Sequence, residues 1–270
     1  MSSRNLALAG ALALALSLTA AVAAQTIPGL KPQSPAEAAA LKSLTKLFND
    51  PTTAGAAFDA AVSDFDQKFP ASQYRLPVLL LAERYHRDHG DYLPLLRYGT
   101  AVLALDPHNV YTLSSLGQAI PDNVRDSDLD RDQRLSQASD YDHQVIGIAS
   151  AFVITSSGLD YEGMHYPPQL AQTLRNNLEG PAYISLGRIA MLDGKYPEAM
   201  ADFQQALPFQ PAPQQQAQVY YDLGTAAESA HQAPAAQAAL TKAKALATGS
   251  PFLLRMVQTE LDKLKAGNPE

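Results

Sequence analysis

The chain has no cysteine among its 270 residues, which excludes disulfides, thiolate nucleophiles and cysteine-bound zinc. A lipid-anchored export form is excluded too, since no thiol is available to carry the lipid. Charge is scarce: Asp, Glu, Lys and Arg make up 17% of the chain, against about 25% in typical soluble domains. Net charge is −7 and no Lys/Arg cluster interrupts it. That argues against nucleic acid, where neutralising phosphates dominates affinity, and against anionic lipid surfaces. Also missing are the phosphate cradles G-x-G-x-x-G and G-x-x-x-x-G-K-[ST], the zinc-protease H-E-x-x-H and the G-x-S-x-G nucleophile frame, which Ser156-Ser157-Gly158 does not supply. No reaction or cofactor can be argued from what remains, and the chain is expected not to be an enzyme.

What is present is apolar: 46% of residues, with alanine and glutamine filling much of the space left by charge, which suits helices better than strands. Residues 1–24 read as an export signal. Arg4 supplies the positive start, Leu6 to Ala21 the apolar run, and Val22-Ala23-Ala24 the small residues before Gln25. A retained membrane anchor is the alternative, but alanine is weakly apolar and no charged stop-transfer cluster follows. Removing residues 1–24, whose only charge is Arg4, leaves −8. A periplasmic or extracellular protein is expected, without stable membrane insertion after cleavage. Residues 25–34 read as a linker, 35–266 as one helical domain and 267–270 as a disordered tail. Proline punctuates the helices: Pro35, Pro51, Pro107, Pro197 and Pro251 each stand where a first turn would begin and a missing N–H costs nothing.

The stretch Tyr183 to Pro211 organises the rest. Tyr183, Leu186 and Gly187 share one face of a first helix, Asp193-Gly194-Lys195 makes a tight break, Ala199, Phe203 and Ala206 share a face of a second helix, and Pro211 closes the unit. This order and spacing resembles a tetratricopeptide repeat (TPR). Tyr220, Leu223, Gly224, Ala236, Leu240 and Ala243 repeat it 37 residues on. Upstream, Gly90-Asp91-Tyr92 and Pro107 repeat the break and the exit, with Glu83 in place of the small Gly187, and Phe58, Val62 and Phe65 precede Pro70 in the same register. The resemblance, which extends loosely to exported bacterial TPR proteins, implies an all-α, right-handed α-solenoid of antiparallel helix pairs. Pro251 to Lys265 would be its C-terminal capping helix. Residues 108–180 are irregular: a helix over 108–119, a turn at Ile120-Pro121-Asp122-Asn123, a helix over 132–156, a loop from Gly158 to Pro168, and a helix from there through Leu192.

Two groups of polar residues invite a metal reading. Asp126, Asp128, Asp130 and Asp132 alternate as in a calcium loop, but Arg131 stands where glycine belongs and Gln137 where the bidentate glutamate belongs. A self-paired loop is expected instead. Glu83, His86 and His89 drift round a helix rather than converging on one face, so structural roles are expected for them.

If Tyr183, Leu186, Gly187 and Ala190 face the partner helix, the other stripe is Ile184, Arg188 and Met191. The TPR resemblance implies that this stripe lines a concave groove, with Tyr221, Thr225 and Glu228 downstream and Leu80, Arg84 and Arg87 upstream. The chain is thus expected to be a scaffold or adaptor that binds a protein or peptide; the three arginines either anchor an acidic one or are ordinary solvated side chains with the neighbouring Glu83 and Asp88 as partners. A self-associating structural protein of the cell envelope is the second reading, and an enzyme or calcium site within 120–168 the third. The partner and the oligomeric state are not readable.

Overall fold

Ser34 caps the first helix as its place before proline and glutamate dictates: its hydroxyl accepts the amide of Glu37 at 3.1 Å. In the computed structural model, which describes residues 31–210 and 212–267, that helix (α1) runs Pro35–Asn49. The Glu37 carboxylate does not return to the cap. It is 1% exposed and takes the amide of Gln33 and the hydroxyl of Ser72. The expectations for residues 1–24, for the linker up to residue 30, for the closing Pro211 and for residues 268–270 lie outside the described residues.

The chain divides into two compact units, one ending at Leu116 and the other beginning at Gly117. The first contains α1, α2 (Gly55–Lys68), α3 (Arg75–His89) and α4 (Tyr92–Leu105), and α5 (Val110–Asn123) runs across the boundary. The second contains α6 (Arg131–Ser150), a hairpin of β1 (Leu159–Tyr161) and β2 (Met164–Tyr166), α7 (Pro168–Leu192), α8 (Tyr196–Ala206), α9 (Pro213–Ser229), α10 (Ala233–Leu246) and α11 (Pro251–Gly267). Successive helices pack as pairs, α3 with α4, α7 with α8 and α9 with α10. The fold is all-α with TPR-like helix pairs, as expected.

The breaks within these pairs share one construction. After α3, α7 and α9, the residues Gly90, Gly194 and His231 adopt φ of 73°, 70° and 58°. The following amides of Asp91, Lys195 and Gln232 reach back to the carbonyls of His86, Ala190 and Ala227 at 2.9, 2.8 and 2.8 Å. Left-handed backbone is cheap for glycine and costs an L side chain about 1–2 kcal/mol. His231→Gly is therefore expected to stabilise the second unit by roughly 0.5–1 kcal/mol after glycine's greater unfolded-state freedom is subtracted. A urea titration that left the midpoint unmoved would contradict this.

Pair packing rests on a small residue facing a large one. A Cβ at Gly187 would lie 2.6 Å from the Phe203 ring, and one at Gly224 would lie 2.6 Å from Leu240 Cγ. Phe203 and Leu240 are themselves buried, as are Phe58, Val62 and Phe65 in the register that ends at Pro70. The last helix covers the end of the core with Leu253, Val257 and Leu261, while Phe252 is 50% exposed.

Several local expectations are corrected. Pro51 and Pro107 sit in turns rather than first helical turns. Asp50 Oδ1 takes the amide and hydroxyl of Thr52 at 2.9 and 2.6 Å, and α2 starts only at Gly55. Asn109, not proline, caps α5, accepting the Thr112 amide at 3.2 Å. Pro121 lies inside α5 and not in a turn. It has no N–H to give the carbonyl four residues back, and the Ser185 hydroxyl of α7 donates to that carbonyl, Gly117 O, at 2.9 Å. The loop after α6 contains an antiparallel hairpin turned by Glu162 and Gly163, φ 50° and 75°. Gly267 belongs to the last helix rather than to the tail.

Candidate interaction surface

The two metal-like groups are taken up by local pairing. Asp130 meets Arg134 at 2.7 Å, Asp132 meets Arg131 at 2.8 Å, Asp126 meets Arg131 at 3.4 Å, and Asp128 receives the Arg125 amide at 3.0 Å. Arg131 also donates to Leu192 O and faces Asp193, so the loop is tied to the end of α7. Glu83, His86 and His89 point to three different sets of partners. Glu83 accepts the Thr112 hydroxyl at 2.5 Å, and His89 Nδ1 lies 2.7 Å from Tyr85 O. His86, 1% exposed, sits between Asp59 at 2.9 Å and Asp91 at 3.1 Å, with Tyr98 stacked on its ring. Asp59 also receives the Tyr98 hydroxyl at 2.7 Å and Arg97 at 3.0 Å. Burial works against the charged form of Asp59, but these hydrogen bonds outweigh it and hold its carboxyl below the usual range. Burial raises the Glu83 carboxyl, with Thr112 and the charge of Arg87 acting against the shift.

In the first unit, the expected stripe is partly covered. Leu80 and Arg87 are half-buried, but Arg84 is 8% exposed, with its guanidinium 5.4 Å from the centre of the Phe48 ring. Arg84 Nε meets Asp88 at 3.4 Å and Arg87 Nε meets the same carboxylate at 3.6 Å. One aspartate therefore holds both guanidiniums. The expectation that Arg84 stands open for a partner's carboxylate is corrected by the Phe48 side chain of α1 lying over it.

In the second unit all six stripe residues are half-buried. Ile184 and Met191 of α7 are half-buried, packed on the core formed by Ala190, Phe203, Val219 and Leu223. Arg188 lies between them in sequence and meets Asp122 of α5 at 3.3 Å. On α9, Tyr221 packs against the terminal core, the Thr225 hydroxyl donates to Asp222 O at 2.8 Å, and Glu228 is half-buried. These six residues occupy the first helices of two successive pairs.

Asp222 and Asp122 join this face, and sequence reasoning missed both. Asp222 Oδ1 accepts Gln218 at 3.0 Å, while Oδ2 is enclosed and accepts no hydrogen bond. Burial pushes its carboxyl up to about 6; Arg188 pulls the other way and Asp122 adds to the rise. A signal existed: Asp222 and Ser185 hold the same register position 37 residues apart, and Ser185 reaches α5 as Asp222 faces Arg188 of α7. Arg188→Met removes the main charge favouring ionised Asp222 and is expected to move its titration above pH 6, as followed by carbon-detected NMR. A downward move would show that Arg188 does not govern this carboxyl.

One further carboxyl lies deeper. Asp142 of α6 is 0% exposed, and neither oxygen accepts a well-formed hydrogen bond. It abuts Gly117 so closely that a Cβ there would meet Oδ1 at 2.3 Å. Burial raises its pKa well above the usual carboxylate value; the Ser185 hydroxyl, already committed to Gly117 O, does little to oppose this.

No family model and no curated protein matches the sequence. Among solved structures, the chain is similar to TTC0263, a thermophilic TPR protein in Thermus thermophilus. They share 19% identity at a TM-score of 0.47, covering 83% of this chain and 98% of that one. It is also similar to a chain of the APC/C hetero-tetramer Cut9–Hcn1, at 18% identity and a TM-score of 0.31, covering 90% of this chain and 60% of the other. No helix among the described residues is long and apolar enough to cross a membrane.

Proposed function

We propose that this chain is an exported interaction protein that holds a protein or peptide segment on the α7–α9 face of its second unit and performs no catalysis. The observation that carries this reading is the set Ile184, Met191 and Tyr221: apolar side chains anchored in the core on one side and open on the other. Such half-open anchors, with polar groups between them, suit recognition of an extended or helical segment. The perturbed carboxyls Glu83 and Asp142 lie within helix junctions and serve packing, which supports binding rather than chemistry. Export rests on residues 1–24, and mature protein should begin at Gln25.

The test is capture from the native envelope fraction by the immobilised mature chain, beside an Ile184→Glu/Tyr221→Glu variant. A partner retained by the first and lost by the second is expected. Equal capture by both would remove this face from consideration. Light scattering of the mature chain tests self-association. A closed oligomer that protects Ile184 and Tyr221 from labelling would favour the structural reading.

A further inference from the structure

Resting on that reading, we propose that the α7–α9 face takes a cationic segment, a short run in which Lys or Arg alternates with apolar residues. Arg188 is the cation on this face, and two aspartates flank it: Asp122 at 3.3 Å and Asp222, whose Oδ2 receives nothing. The Arg188 guanidinium contacts Asp122 and acts on Asp222 only through its charge. Around Tyr221 lie Asp222 and Glu228 on its own helix and Glu260 on α11, while Lys263 is held by both Glu260 oxygens at 2.9 Å. Asp122, Asp222, Glu228 and Glu260 thus oppose Arg188 and Lys263, leaving two negative charges uncompensated.

A partner carboxylate would have to displace Asp122 from Arg188 and enter this excess of like charge. A partner ammonium or guanidinium completes it, at the exposed Asp122 carboxylate or at Glu228 beside Tyr221. The Tyr221 ring adds an aromatic surface that suits a cation next to carboxylates. The apolar residues of the segment would then rest on Ile184 and Met191. Complementarity of this kind sets partner choice and encounter rate, and weakens with salt.

Fluorescence anisotropy with the mature chain decides the matter, using a labelled ten-residue alternating Lys–Leu peptide and its Glu–Leu counterpart. The Lys–Leu probe is expected to bind at least about tenfold more tightly, a difference of about 1.4 kcal/mol. Asp122→Lys/Glu228→Lys should abolish that preference. Asp160→Lys/Glu162→Lys, an equal charge change on the hairpin, should leave affinity within about twofold. Tighter binding of the Glu–Leu probe overturns the inference while leaving the proposed face intact. So does an equal loss from the hairpin variant, which would reduce the preference to overall charge. Binding of neither probe overturns both the inference and the proposed function. Circular dichroism of each variant separates a binding loss from a folding loss.

Discussion

Replacing Asp142 with asparagine is expected to stabilise the second unit at pH 7 and to leave its stability unchanged near pH 3. The carboxyl is fully buried without a counter-charge, so the folded state binds its proton more tightly than the unfolded chain does. A raised folded pKa gives stability that is complete below the unfolded value near 3.8 and declines as pH rises towards the folded value. Within that window the wild type should lose up to about 1.4 kcal/mol per pH unit relative to Asp142→Asn. The gain at pH 7 should be at least about 2 kcal/mol, within the range for relieving an unsatisfied buried polar group. Urea titrations of both proteins at pH 3, 5 and 7 provide the measurement. Curves that stay parallel across the three would mean that Asp142 is not held neutral.

Gly187→Ala should cost the same unit about 1–3 kcal/mol, the usual penalty for overpacking. The added methyl meets three atoms of the Phe203 ring at 2.6, 2.7 and 2.9 Å. A ring that is 1% exposed has nowhere to move. Gly224→Ala should cost less, because only two Leu240 side-chain atoms, at 2.6 and 2.8 Å, stand in its way against three at Gly187. Phe203→Leu should lower the penalty of Gly187→Ala by giving this pair the same partners as the next. Thermal unfolding of the four variants checks the order. Equal costs at Gly187 and Gly224 would mean that the ring is not the obstacle.

The helix pairs could be read from residues because their causes are local. Gly90 and Gly194 mark left-handed breaks, Pro197 and Pro251 mark first turns, and Gly187 opposite Phe203 marks close packing. The errors arise where a neighbour in space, or a turn residue's own side chain, decides. Pro121 stays helical because Ser185, far along the chain, satisfies the carbonyl that the proline leaves free. Asp50 and Asn109 turned the chain with their own side chains before the next helix could start. The stripe on α7 and α9 could be laid out from spacing alone, yet periodicity cannot show that Phe48 covers Arg84 or that Asp122 reaches Arg188. Asp142 looked like any aspartate on a polar helix, and only its packing against Gly117 sets it apart.

The bond between Ser185 and Gly117 also constrains heredity. As long as residue 121 is proline, the hydroxyl at 185 fills a backbone vacancy; once 121 can donate its own amide, that hydroxyl is superfluous. Substitutions at the two sites should therefore follow an order, with the proline lost first and the serine drifting only afterwards. A lineage that dropped the serine ahead of the proline would have crossed a less stable intermediate. Descendants of this chain should rarely show that combination.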